Sequence, residues 1–242
     1  MFKTFFKGLS DLLYPPNCLI CQKFTPLADR KHLLCPACQG LIQYNLPPFC
    51  VKCSRHLEDF KWGSRCQDCA QHEPAFDFAW SACLYNDVLK TLIHRFKYSQ
   101  KTFLSRIFAQ FMVSFIKTYR LDVEQFDNVL PIPLSSARQR ERGFNQARLL
   151  AEHVAREFNI GLSSHNLIKV RHTQNQALLS QKERWTNIKA AFKIKNPKEF
   201  EDKNILLVDD LLTTGATASE AARCLKEAKA KTVGVFTLAV AL

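Results

Sequence analysis

Residues 205–220 read ILLVDDLLTTGATASE: the apolar run Ile205, Leu206, Leu207, Val208 meets two adjacent aspartates, Asp209 and Asp210, and then a small-residue loop around Gly215. A short continuous apolar run bounded by turn residues predicts a strand buried on both faces. The periodic residues after the loop predict a helix over 216–230. Working outward, apolar runs predict further strands at 79–85, 128–133, 167–170, 204–209 and 232–239. Apolar residues at three- and four-residue spacing predict helices at 88–98, 103–119 and 146–158. Strands alternating with helices indicate an α/β fold, a parallel sheet flanked by helices.

In such sheets ligands bind outside the carboxyl ends of the strands, and Asp209 and Asp210 fall at one of those ends. Carboxylates accept hydrogen bonds, so two in sequence suit a pair of vicinal hydroxyls such as those of a ribose. Thr213, Thr214, Gly215, Ala216 and Thr217 add backbone N–H groups, hydroxyls and the positive end of a helix, which together cradle a monophosphate. A sugar carrying a terminal phosphate matches both halves. An apolar strand ending in Asp-Asp also occurs in nucleotide hydrolases, but those need a G-x-x-x-x-G-K-[ST] loop that the seven glycines here do not supply, and G-x-G-x-x-G is absent too.

Eight of the ten cysteines fall in four Cys-x-x-Cys pairs: Cys18/Cys21, Cys35/Cys38, Cys50/Cys53 and Cys66/Cys69. Each pair turns two sulfurs toward one ion, and two pairs complete a tetrahedral thiolate site, so two structural zinc ions are expected. The intervening gaps of 13 and 12 residues suit sequential pairing, while a cross-braced arrangement remains open. Four-thiolate sites leave no open position for substrate, so the zincs hold the fold. His32, His56 and His72 read as solvated bystanders, and Cys83 and Cys224 as small apolar core residues. This small cysteine-rich zinc-binding module, with the amino terminus, occupies residues 1–75 and precedes the α/β domain at 76–242.

The 242 residues are 47% hydrophobic and 23% charged, a globular composition. The net charge of +12 is uneven: residues 131–200 hold 13 basic against 5 acidic side chains. A basic middle faces a polyanion, either a nucleic acid or a small pyrophosphorylated substrate. Phe2, Phe5, Phe6, Leu9, Leu12 and Leu13 predict a short amphipathic helix stopped before Pro15 and Pro16. Lys3, Lys7 and Asp11 interrupt any signal-like or spanning run, so a cytoplasmic chain with no membrane span is expected.

ILLVDDLLTTGAT resembles the phosphoribosyl pyrophosphate (PRPP) signature of type I phosphoribosyltransferases: mainly hydrophobic residues, two acids, then a Thr-Gly-rich loop. PLSSARQRERGFNQA and RHTQNQALLSQKERWTNIKAAF upstream, behind the cysteine knuckles, resemble the ComF family of competence-associated proteins over nearly the whole chain. The resemblance implies a second loop for the pyrophosphate, built from Ser135, Arg138, Arg142, Gly143, Asn145 and Gln146, where arginine forks and a helix start meet phosphate oxygens. It also implies a mobile hood at about 167–195, whose Arg171, Gln176 and Arg184 meet the pyrophosphate or the incoming nucleophile while Trp185 and Phe192 pack it down. Lys97 is a further phosphate candidate.

The implied chemistry is displacement at the anomeric carbon of PRPP, with magnesium bridging pyrophosphate and ribose oxygens. Asp209 and Asp210 hold the sugar; Arg142 and Arg184 stabilise the leaving diphosphate. The acceptor is not legible. The rival class is a non-catalytic DNA-uptake factor whose PRPP site is regulatory or vestigial and whose basic middle binds single-stranded DNA through phosphates. In either case the resemblance implies a role in natural transformation and association with a competence helicase or translocase.

Overall fold

The computed structural model describes residues 17–24, 34–58, 63–99, 101–171, 173 and 180–241. The amino-terminal helix expected over Phe2 to Leu13 lies outside the described residues, as do His32, His172 and Gln176.

The central sheet has five parallel strands: β1 (Phe78–Leu84), β2 (Asn128–Pro131), β3 (Gly161–Leu162), and two more that come late in the chain, at Asn204–Leu212 and Thr232–Val240. Between β3 and those two lies the hood, where β4 (Leu167–Lys169) pairs antiparallel with β5 (Phe192–Ile194). The late strands are therefore β6 and β7, and the sheet order is β1-β7-β6-β2-β3. Two short helices in the cysteine module, α1 (Pro36–Gly40) and α2 (Gln67–His72), precede β1. The sheet helices are α3 (Asp87–Tyr98), α4 (Leu104–Tyr119), α5 (Ser136–Arg142), α6 (Gln146–Glu157) and, after β6, a helix at Ala216–Glu227. The hood helix Gln181–Ile188 is α7, which makes the last one α8.

Alternation along β6 explains the layering. Leu206 and Val208 face one way, into a core with Phe96, Phe108, Met112 and Leu150 from α3, α4 and α6. Ile205 and Leu207 face the other, into a core with Ala221, Ala222 and Leu225 of α8 and with Phe192 and Ile194 of the hood. Both faces are covered, so the strand is apolar at consecutive positions rather than alternately. Asn86 and Asn145 cap α3 and α6 by accepting from the N–H groups of Leu89 and Ala147, each at 3.0 Å.

The two halves of the cysteine module pack on different parts of this body. Cys18, Cys38 and Ile42 join the core of α3 and α4, while Cys50, Cys53 and Cys69 join that of α8. Between them the backbone at 43–45 runs antiparallel along β1, with Leu84 N–H on the Gln43 carbonyl at 2.8 Å and Asn45 N–H on the Ala82 carbonyl at 3.0 Å.

Two elements differ from expectation. The apolar residues at 167–169 were expected to join the parallel sheet; instead β4 pairs outside it with β5, and the place beside β2 is taken by Gly161–Leu162. A two-residue strand has no periodicity to read, and Gly161 is there because a side chain would begin 2.7 Å from the Asn128 amide oxygen. The stretch after β2, read as a loop, contains α5, begun by the Ser135 cap and stopped by Gly143 at φ 77°. Among the described residues no helix is long and apolar enough to cross a membrane.

Gly234 on β7 faces Phe126 and Phe78; a Cβ there would begin 2.7 Å from the Phe126 ring. Gly234→Ala should therefore lower unfolding free energy by about 1–3 kcal/mol, the usual cost of overpacking, read from urea denaturation.

Candidate active site and cysteine clusters

From β6 the chain crosses through α8 to β7 on one side, and from β2 it crosses through α5 and α6 to β3 on the other. Connections that diverge from adjacent parallel strands leave a crevice at their carboxyl ends. There lies a cavity of ≈ 510 Å³, floored by Asp209 and Asp210 and walled by Arg138, Arg142, Lys169 and Arg184.

Neighbouring strand residues point to opposite faces, and this separates the two aspartates. Asp210 turns toward α3 and α6 and is 3% exposed. Lys97 Nζ lies 2.5 Å from its Oδ2, and Gln146 Nε2 donates to its Oδ1 at 3.4 Å. Lys97, a phosphate candidate by sequence, lines the cavity and neutralises this buried carboxylate. Asp209 stays half-buried on the loop side, with its Oδ1 accepting the Asp210 N–H at 2.8 Å. Burial, reinforced by the neighbouring Asp210 charge, pushes the Asp209 carboxyl up from 3.8 to about 8. Across the cavity, burial and the charge of Arg138 pull the Lys169 ammonium down to about 8, with Asp209 opposing.

The loop after β6 closes a recess of ≈ 20 Å³ lined by Asp209, Thr213, Gly215, Thr217 and Ala218. Gly215 precedes α8 at φ 77°, a left-handed geometry that glycine adopts at no steric cost, and so aims the helix start at the recess. The first N–H groups of a helix have no intrahelical acceptor, so this mouth has the donor chemistry that suits an anion. Thr214 Oγ1 accepts the Ala216 N–H at 3.4 Å, and Ala216 is buried, so it offers only its backbone. The recess alone holds about one water-sized sphere. Asp209, Thr213 and Thr217 line it and the larger cavity alike, so the recess adjoins the cavity.

On the opposite wall Arg142, 8% exposed, lies 5.0 Å over the Tyr98 ring and donates to its hydroxyl at 3.3 Å. Arg142 Nε and Gln146 Oε1 are buried without a hydrogen-bond partner among the described residues. Orphaned buried polar atoms mark a place where a ligand or water completes the set. Ser135 and Asn145 serve the backbone instead: Ser135 caps α5, and Asn145 donates to the Ile132 carbonyl at 3.0 Å. Gly143 ends α5.

Arg171 lies away from the cavity, donating to the carbonyls of Asn187 and Lys189 at 2.5 and 2.6 Å within the hood. Arg184 lines the cavity from α7. Phe192 is buried in the core that holds α8, and Trp185 stacks at 5.1 Å on the exposed His72, which belongs to neither cysteine cluster. Sequence reading missed Lys169, Tyr98 and His94. A signal existed for the α3 side: Lys90, Ile93, His94 and Lys97 recur at helical spacing on the one face that lines the cavity.

The cysteines form two clusters, Cys18, Cys21, Cys35, Cys38 and Cys50, Cys53, Cys66, Cys69, with all sulfurs of a cluster within 4.8 Å of one another. Of the two pairings left open, this is the sequential one. Backbone N–H groups point at the sulfurs, Ile20 to Cys18 Sγ at 3.4 Å and Cys66 to Cys50 Sγ at 3.2 Å. Such donors stabilise thiolates around a metal, so both donor sets fit a structural zinc ion.

The fold and its two appendages define a phosphoribosyltransferase-like α/β protein carrying two four-cysteine zinc-binding clusters. Residues 9–70 match the double zinc ribbon domain and residues 145–241 the phosphoribosyl transferase domain. The chain is 31% identical over 228 residues to competence protein F of Haemophilus influenzae, covering 92% of this chain and 96% of that protein. It is 41% identical over 160 residues to competence protein ComFC of Bacillus subtilis, covering 65% of this chain and 62% of that one. With the DNA utilization protein YhgH of Salmonella typhimurium it shares 28% over 229 residues, 94% of this chain and 98% of the relative. The chain belongs to the ComF family.

Between pH 3.8 and about 8 the folded chain keeps on Asp209 a proton that the unfolded chain has released, so this group lowers stability as pH rises through that window. Asp209→Asn should stabilise the ligand-free chain in thermal unfolding. The gain should be largest above pH 8 and shrink as the pH falls toward 4.

Proposed function

We propose that this chain binds PRPP together with magnesium at the β2–β6 crevice and transfers its phosphoribosyl group, in the service of DNA uptake during natural transformation. The observation that carries the reading is one cavity holding a half-buried carboxylate, a helix start behind a Thr-Gly loop, and a facing wall of Arg138, Arg142 and Lys169.

In this reading the 5-phosphate seats against the backbone of Thr213, Thr214, Gly215, Ala216 and Thr217. Asp209 accepts from the ribose diol; Asp210, held by Lys97 and Gln146, fixes the end of the strand beneath the sugar. The diphosphate lies against Arg138, Arg142 and Lys169, and Arg142 Nε gains the acceptor it lacks. Magnesium, when bound with PRPP, neutralises charge on the departing diphosphate. The hood brings Arg184 over the anomeric carbon and keeps water from the developing cation. Remote binding of the 5-phosphate orients the anomeric carbon for displacement. A competence setting follows from the names of the relatives, and a helicase or translocase is the partner class that setting implies.

One observation favours a second activity beside it. Lys182, Lys189, Lys193, Lys195 and Lys198 are all exposed on and beside the hood, a cationic surface suited to sequence-independent contact with single-stranded DNA.

Calorimetric titration of PRPP with magnesium should show one binding event, weakened on the order of 10–100-fold in Asp209→Asn/Asp210→Asn. Equal heats for both proteins, or none for wild type, remove the enzyme reading. Any DNA affinity should fall steeply with salt, and a salt-insensitive affinity counts against the second activity. Elemental analysis should give two zincs per chain; one or none contradicts the assignment of both clusters.

A further inference from the structure

Arg55 leaves the second cysteine cluster two residues after Cys53 and makes three bonds beyond its own turn. Nη1 pairs with Asp68, which sits between Cys66 and Cys69. Nε donates to the Ala241 carbonyl at 3.0 Å, and Nη2 donates to the Thr213 carbonyl at 2.7 Å. Its side chain is 17% exposed. A guanidinium is a rigid planar fork, so fixing one arm on Asp68 fixes where the other two point.

Thr213 opens the phosphate loop. Because the peptide unit is planar, holding the Thr213 carbonyl also sets the direction of the Thr214 N–H, one of the donors offered to a phosphate. Other contacts from the same ribbon converge on this loop. Lys52 Nζ donates to the Phe76 carbonyl, and the Phe76 ring lies 3.6 Å from where a side chain on Gly215 would begin. Ala75 N–H donates to Ser219 Oγ, one turn into α8, at 2.9 Å. On the far side of the crevice, His72 at the end of α2 stacks on Trp185 of the hood. The ribbon that carries this cluster thus touches both the anion loop and the hood helix.

We infer that the second four-cysteine cluster sets the geometry of the phosphate loop, with Arg55 as the positioning residue, so that an intact cluster is linked to anion affinity at a loop 158 residues away in sequence but adjacent in space. The ligand in this inference is the one proposed above; the geometry of the loop is independent of it. Neither ligand contact nor chemistry is assigned to Arg55. Its role is to hold a carbonyl whose rotation would turn the cradle's donors aside.

The test uses the full chain with Arg55→Ala, Arg55→Lys and, as a control on the same ribbon, Arg65→Ala, whose pair with Glu73 is exposed. Arg55→Lys keeps charge toward Asp68 and cannot reach both carbonyls, so it remains informative should Arg55→Ala fail to fold. Expected for the Arg55 variants are two retained zincs, PRPP–magnesium affinity about tenfold weaker, and faster amide exchange at 213–217 with β7 unchanged. Arg65→Ala should match wild type. Unchanged exchange and affinity in zinc-replete Arg55→Lys overturn the inference. If wild type itself binds no PRPP, the proposed function falls, and the exchange rates alone decide whether Arg55 positions the loop.

Discussion

A parallel strand buried on both faces stays apolar while strands flank it on both sides, and β6 places its first charges where β2 has ended and only β7 still pairs with it. Leu206 and Val208 pack on the α3–α4–α6 side and Ile205 and Leu207 on the α8 side, so Asp209 and Asp210 inherit opposite directions from the same alternation. Asp210 enters the helical layer and needs a counter-charge there, since a carboxylate buried alone is costly; Lys97 and Gln146 supply it. Asp209 points to the loop, where no cation is paired with it among the described salt bridges, and its proton is held accordingly. One acid therefore ties a helix to the floor of the crevice while its neighbour stays available to a ligand.

Around that floor the chain builds two walls by different means. The anion loop gains its shape from backbone, with Gly215 in a left-handed turn and α8 starting directly behind it. The cationic wall depends on side chains carried by short elements, α5 and the β4–β5 pair, which sit outside the main sheet. The hood is anchored to α8 rather than to the sheet: Ala190 N–H donates to Glu220 at 2.7 Å, and Cys224 Sγ donates to the Phe192 carbonyl at 3.4 Å. Cys224 thus packs as a core residue and also bonds the hood.

Much of this was legible in residue order. The four knuckles, the strand-loop-helix at 205–220 and the long helices carry strong periodic or spacing signals and form as those signals indicate, although β6 runs on to Leu212 and so takes in both aspartates expected at its end. The parts that escaped share a physical reason. Gly161–Leu162 is too short to show alternation, and β4 has the composition of a sheet strand but pairs locally with β5. The counter-charge of Asp210 comes from Lys97, more than a hundred residues earlier. Arg55 and Tyr98 act through partners far away in sequence, the Thr213 carbonyl and Arg142, and no local pattern announces either contact.

The sheet borders show one further property. Along β1 the backbone at 43–45 bonds the outer row at Ala82 and Leu84, and at the opposite border β3 offers only two residues. Among the described residues, both features shorten the ladder that these borders offer a foreign strand. Backbone-mediated polymerisation is thereby disfavoured at the carboxyl end of β1 and along β3.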